Sequence, residues 1–314
     1  MKLPELKIGT KIAKVPIVQG GMAIRLSTAR LAAAVANQGG IGLIAASGMS
    51  PAELRYEIRL ARSLTDGVIG INIMVAAKKF KDMVMTAIDE GIDLVVAGAG
   101  FSRDIFSWGQ ESGTPIVPIV SSVKLAKISQ HLGATAIVVE GTEAGGHLGT
   151  MTSVRELIPG IRAAVDIPVI AAGGVLTGQD IVDLIKMGAN GVQMGSRFAA
   201  SLEANSAPML KEFYLKAIPE DVCIIHSPVG LPGRAVRNPW AERITNGNVP
   251  PTRCDSCLKA CKHNFCIIRA LTRAQQGDVE TGLVFTGSNI ARIKEIKSVS
   301  DVISQLVAEA EAVD

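Results

Sequence analysis

The chain has 314 residues, 48% of them hydrophobic and 19% charged, enough to bury a large core in one big α/β domain or two medium ones. Its 32 basic and 29 acidic residues leave a formal charge of +3 and are dispersed, so no block of like charge offers itself to a nucleic acid or a membrane surface. MKLPELKIGTKIAKVP lacks the apolar stretch of a secretory signal, and no apolar run reaches the roughly 18 residues of a spanning helix, so a cytoplasmic protein is expected.

With only seven Phe, two Tyr and two Trp, the core must be aliphatic. Short β-branched runs recur along the chain: VPIVQ (15–19), GIGLIAA (40–46), VIGINIM (68–74), DLVVAGA (93–99), PIVPIV (115–120), TAIVVE (135–140), IPVIAAG (167–173) and NGVQMG (190–195). They are continuously apolar rather than alternating, as strands covered on both faces are. Helical spacing fills the gaps. STARLAAAVANQ starts at Ser27 or Thr28 and stops at Gly39, SPAELRYEIRLARSL opens with Ser50, Pro51 and Glu53, and VKLAKISQHLGA and TGQDIVDLIKMGA follow the same scheme. Eight strand–helix units in about 200 residues predict a (β/α)8 barrel. A doubly wound open sheet is the alternative, weakened because no GxGxxG turn follows the first strand. The barrel core is expected over 1–222, with residues 223–314 as a cover segment packing back on it.

Barrel active sites form at the carboxyl ends of the strands. Those ends read Gln19 to Met22, Ala45 to Ser47, Asn72, Gly98 to Gly100, Ser121 and Ser122, Glu140 to His147, Ala172 to Gly174 and Gln193 to Ser196, nearly all small or amide residues. Such a rim suits a large flat ligand and holds few carboxylates for a metal. AAGG (171–174) and MGS (194–196) fall where barrels bind phosphate, with Gly173, Gly174, Gly195 and Ser196 offering backbone amides and a hydroxyl.

PIVQGGMA (16–23), GINIM (70–74), EGTEAGGHLG (140–149), IPVIAAGG (167–174) and GVQMGSRF (191–198) together resemble the motif series of the FMN-dependent nitronate monooxygenase (2-nitropropane dioxygenase) family, which includes the flavin-dependent type II enoyl-ACP reductases. The resemblance covers residues 10 to 200, with an echo in GDVETGLVFTGSN. It implies an FMN barrel with the phosphate on Gly173, Gly174, Gly195 and Ser196, and the ring over Gly21, Met22 and Ala23, near Asn72 and Gln193. It also implies that Gly145 and Gly146 approach the flavin, that His147 faces the substrate, and that Gly287 and Ser288 return to the flavin edge. An imidazole there can take a proton from a carbon acid or hold an anionic oxygen. Glu140 reads equally as a pocket carboxyl and as an acceptor of loop N–H groups or ribityl hydroxyls; Glu143 is a second pocket candidate.

CDSCLKACKHNFC places Cys254, Cys257, Cys261 and Cys266 within 13 residues of a chain holding five cysteines. In a cytoplasmic protein such thiols point to a metal rather than to disulfides. The C-x2-C-x3-C spacing resembles the iron–sulfur run of the 2,4-dienoyl-CoA reductase type of flavin barrel, whose fourth cysteine lies further on. A [4Fe–4S] cluster is expected ahead of structural zinc, with a metal-free thiol cluster third and His263 able to replace one ligand.

The first expectation is nitronate or nitroalkane oxidation with dioxygen reoxidising the flavin, because that activity defines the family. The alternative is an NAD(P)H-dependent enoyl-thioester reductase, under which alone acyl carrier protein would be a partner. A non-redox enzyme of phosphorylated sugars comes last, since no strand end offers a lysine. Otherwise the partner is a small-molecule substrate, and a homodimer is the assembly to test.

Overall fold

The computed structural model describes residues 1–313. A short antiparallel hairpin, β1 (Leu6–Ile8) and β2 (Lys11–Ala13), leads into the barrel. All eight expected strands form, shortened by up to two residues at an end: β3 (Ile17–Gln19), β4 (Gly42–Ala45), β5 (Ile69–Met74), β6 (Leu94–Gly98), β7 (Ile116–Val120) and β8 (Ile137–Glu140), then, after the two-residue β9 (Gly146–His147), β10 (Val169–Ala172) and β11 (Gly191–Met194). They pair in parallel in the order β3-β11-β10-β8-β7-β6-β5-β4, and a parallel bridge from Val18 to Ile41 joins the two outer strands. The sheet is therefore the (β/α)8 cylinder that the spacing predicts. Its interior is aliphatic, with Val18, Leu43, Leu94, Val96, Val117, Val138 and Ile170 all buried.

The helices around it begin where local chemistry places them. In α1 (Ala29–Asn37) Thr28 is the N-cap residue but makes no side-chain cap; the Ala29 N–H goes instead to the Glu57 carboxylate of α2 (Pro51–Leu64) at 2.7 Å. Ser50 and Glu53 form a reciprocal capping box on α2. The ring continues through α3 (Phe80–Asp89), α4 (Asp104–Ser112), α5 (Val123–His131), α6 (Val154–Arg162) and α7 (Gly178–Lys186). After β11 the chain makes only the single turn α8 (Ser196–Ala199) before leaving as α9 (Pro208–Lys216). The eighth position in the ring is taken by the C-terminal α12 (Val299–Glu311), which packs between α7 and α1. Its Val299, Val302, Ile303 and Leu306 enter the main core, and Glu309 accepts the Gly178 N–H at 2.8 Å.

Residues between α9 and α12 lie over the carboxyl end of the barrel. Strands β12 (Val222–His226) and β13 (Pro232–Val236) pair antiparallel, and β13 also pairs with β9. Helices α10 (Pro239–Asn246) and α11 (Ile267–Gln275) join them around a separate core that includes Ile24, Ile225, Trp240, Phe265, Ile267 and Leu271. Among the described residues no helix is long and apolar enough to cross a membrane.

Candidate active site

A cavity of about 230 Å³ opens at the carboxyl ends of the strands, beneath the cover. The βα loops contribute Gly21, Met22 and Ala23 after β3, Asn72 within β5, Glu140, Gly145, Gly146 and His147 in and after β8, Gly173 after β10, and Gln193, Gly195 and Ser196 from β11 and α8. The other wall is apolar: Ile24, Leu26, Met74, Ile119, Ile267, Ile268 and Leu271. Of the predicted site residues Gly174, Glu143, Gly287 and Ser288 do not line this space; Gly174 stands one residue behind Gly173. Among the described residues the lining holds one carboxyl, one imidazole and neither lysine nor arginine. A Schiff-base lysine is therefore absent from these walls, which removes the main tool of an aldolase on a sugar phosphate.

His147 is held from three sides. Its backbone pairs with Gly233 of β13, its ring meets Phe285 edge-on at 5.3 Å between centroids, and its Nε2 lies 2.8 Å from the Ser227 hydroxyl. Burial by these walls pulls the imidazole down to about 4, so it is neutral at physiological pH. It thus presents an uncharged ring to the cavity.

The glycines next to it serve a purpose that spacing did not suggest. A Cβ on Gly145 would stand 2.5 Å from the carbonyl carbon of Thr286, so its bare backbone makes room for the 285–289 segment while also lining the cavity. That segment is stitched into the site. Thr286 N–H donates to Arg234 O at 3.2 Å, Ser288 N–H to Glu143 O at 3.0 Å, and Asn289 Nδ2 to Gly174 O at 2.7 Å. Gly287 N–H donates to the Ser196 hydroxyl at 2.9 Å. Among the described residues the N–H groups of Gly173, Gly174, Gly195 and Ser196 make no hydrogen bond within the protein. Free amides on two neighbouring loops, with Gly174 at φ +73° where L side chains are strained, are a donor set that suits a phosphate. Gln193 Oε1 is buried without a partner, an acceptor left for a ligand's N–H.

The two carboxylates separate. Glu143 accepts the Ser153 hydroxyl and the Val154 N–H, capping α6, and its side chain is not part of the cavity wall. Glu140 does line the cavity, and burial raises its carboxyl to about 8. Between pH 4.5 and 8 the folded chain therefore keeps a proton that the unfolded chain releases, so stability falls as pH rises through this window. For His147 the unfolded chain holds the extra proton between 4 and 6.5, and stability rises with pH there. The two slopes oppose up to 6.5, leaving the Glu140 loss uncompensated from 6.5 to 8. Thermal melts of flavin-free protein should show Tm dropping across that interval, and Glu140→Gln should flatten the drop; parallel curves for the two proteins would contradict the burial of a protonated carboxyl.

The cysteine run departs from its expectation. Cys254 is exposed, Cys257, Cys261 and Cys266 are half-buried, all four are free thiols, and among the described residues no three His, Cys, Asp or Glu side chains are grouped to hold a metal. A [4Fe–4S] cluster or zinc on Cys254, Cys257, Cys261 and Cys266, with or without His263, therefore finds no support in this placement, although the other three thiols lie near enough to Cys257 to add to the burial that raises it to about 11. Instead the segment acts as a strap. Lys78 N–H donates to Cys257 O, Lys259 N–H to Ala76 O, and Lys262 N–H to Pro228 O, each at 2.9 Å, while Leu258 and Phe265 are buried beneath it. Cysteine spacing announced a cluster of ligands, but the tertiary contacts use this stretch to tie the β5 loop to the cover.

Two polar groups of the site escaped the motif analysis. Ser227 is 3% exposed and reaches His147 across 80 residues of chain. Arg234 on β13 donates to the carbonyls of Thr142 and Ala144, fixing the loop that carries Gly145 to His147. Only the pairing of β13 with β9 brings either of them into range.

The nitronate monooxygenase family model matches residues 5–99 and 80–309. In Rhodococcus jostii, a (3aS,4S,5R,7aS)-5-hydroxy-7a-methyl-1-oxo-octahydro-1H-indene-4-carboxyl-CoA dehydrogenase is 27% identical, over 94% of this chain and 92% of that protein. A probable nitronate monooxygenase of Staphylococcus aureus is 29% identical, over 75% of this chain and 79% of its own. The structure of FabK from Thermotoga maritima superposes with a TM-score of 0.85 and 34% identity, covering 94% of this chain and 92% of that one.

Proposed function

Because the chain belongs to the nitronate monooxygenase family of oxidoreductases, we propose that it is an FMN-dependent enzyme that oxidises nitronates, with dioxygen as electron acceptor. The observation that carries the reading is the closeness of an unengaged amide set at Gly173, Gly174, Gly195 and Ser196, all but Gly174 lining one cavity, to a neutral imidazole at His147 in the same wall. These residues fit FMN: the amides and the Ser196 hydroxyl would take its phosphate, Gln193 Oε1 would accept a ring N–H, and Gly21, Met22, Ala23 and Asn72 would flank the ring. When bound, FMN supplies the two-electron redox chemistry that no side chain in the cavity can. The chain itself binds and orients. His147 and protonated Glu140 offer uncharged hydrogen-bond donors to the oxygen of an anionic substrate, while Ile24, Met74, Ile268 and Leu271 shed water from its carbon end. An imidazole held near 4 is a weak base at neutral pH, which favours a preformed nitronate over a neutral nitroalkane.

A second reading has its own support. The apolar wall of Ile24, Leu26, Met74, Ile119 and Leu271 suits an acyl chain, and the relative from Rhodococcus jostii is named for a carboxyl-CoA compound. Reduction of an enoyl thioester by NAD(P)H develops charge on the thioester oxygen, which the same neutral donors would meet. One preparation, yellow from bound flavin, decides between them. Turnover with a nitronate and oxygen supports the first, turnover with an enoyl thioester and NAD(P)H the second, and protein that stays colourless after addition of FMN contradicts both.

A further inference from the structure

The geometry points to Ser227 as the positioning residue that holds His147 in the tautomer protonated on Nδ1, so that the imidazole meets its substrate as a hydrogen-bond donor. The inference rests on His147 being the group that faces the substrate.

Ser227 sits at the start of a tight turn between β12 and β13. Its N–H donates to Leu231 O at 3.1 Å and its carbonyl accepts the Gly230 N–H at 2.9 Å, with Gly230 at φ +91°. The cysteine-bearing strap braces this turn on both sides. Asn264 Nδ2 donates to His226 O at 2.7 Å and Lys262 N–H to Pro228 O at 2.9 Å. The hydroxyl is therefore fixed before any ligand arrives.

A serine hydroxyl has one proton to give and two lone pairs to receive with. Here Val229 N–H already donates to Oγ at 3.3 Å, and among the described residues His147 Nε2, at 2.8 Å, is the acceptor within reach of the hydroxyl proton. If Nε2 carried hydrogen, Oγ would face two donors and its own buried proton would go unmatched, which costs about 1–3 kcal/mol. The proton of a neutral imidazole therefore belongs on Nδ1. Among the described residues Nδ1 has no hydrogen-bond partner, which leaves it for the cavity that His147 lines. In this tautomer the ring supports an anionic oxygen of the substrate and is not set up to abstract a proton from carbon.

The test is ¹⁵N NMR of histidine-labelled holoenzyme. With four histidines in the chain, the His147 signals are those missing from His147→Ala. The expected result is a pyrrole-type Nδ1 and a pyridine-type Nε2 in the wild-type protein. Ser227→Ala should move His147 toward the opposite tautomer and lower kcat/KM for a nitronate about tenfold, the scale of one hydrogen bond, while Ser227→Thr should keep both properties. A protonated Nε2 in the wild type, or an unchanged tautomer in Ser227→Ala, would overturn the assignment. The flavin colour of the same sample and its turnover report separately on the proposed function, so a colourless or inactive protein with the expected tautomer would count against that function and not against Ser227.

Discussion

His147→Ala is expected to leave flavin occupancy intact and to lower turnover by about 10²–10⁴, the range for a positioned acid, base or hydrogen-bond donor. Occupancy should survive because the proposed phosphate contacts come from Gly173, Gly174, Gly195 and Ser196, on different loops. The ring's packing is light enough to lose, since beyond the Ser227 hydrogen bond its main contact is the Phe285 edge at 5.3 Å. Turnover should collapse because, among the described residues, the cavity offers one imidazole, and its loss leaves the Glu140 carboxyl to meet the substrate oxygen without its companion donor. His147→Gln, which restores a neutral N–H at similar reach, should recover part of the loss. Steady-state rates with flavin-normalised enzyme check this; full activity of His147→Ala on every accepted substrate would remove the residue from the mechanism.

Gly174→Asp is expected to abolish flavin binding while the chain still folds. At φ +73° an L side chain is strained, and a Cβ would come to 3.0 Å from Asn289 Nδ2 and 3.2 Å from the Glu143 Cβ. The Asn289 amide is the one that holds Gly174 O at 2.7 Å, so the substitution disturbs the 285–289 segment as well. The added carboxylate then stands beside the amides proposed to hold the phosphate, and repulsion joins the steric effect. Gly91→Ala is the control for backbone strain. It has a similar φ of +69° with nothing within 4 Å, and should cost stability without affecting the flavin. Flavin absorbance per chain, measured beside circular dichroism, reads the outcome. A folded Gly174→Asp protein with full occupancy would displace the phosphate from this loop.

The barrel was legible because each of its units is written locally. Continuous apolar runs such as IVPIV can only be covered strands, and Ser50, Ser122 and Thr177 cap the helices they precede by bonding amides three residues away. The gathering of Gly21, Asn72, Glu140, His147, Gly173, Gln193 and Ser196 around one cavity was legible for a related reason: in a parallel barrel all βα loops emerge at the same end. Where local signals misled, a distant contact had taken over. Thr28 yields its capping role to Glu57 on the next helix, Gly145 is bare because Thr286 presses on it, and Glu143 turns to α6. The cysteines, close in sequence, serve a strap whose anchors are backbone carbonyls of Ala76 and Pro228.

Periodicity, capping and the placement of glycines at strand ends were enough to imply the cylinder and the end of it where chemistry takes place, because these depend on contacts within a few residues or on a fixed architecture. The state of the histidine was not. Its neutrality comes from walls supplied by the cover, and the hydroxyl at its Nε2 arrives from 80 residues downstream through the pairing of β9 with β13. Burial and long-range pairing exist only once the chain has closed over the barrel mouth, so no stretch of residues taken alone carries them.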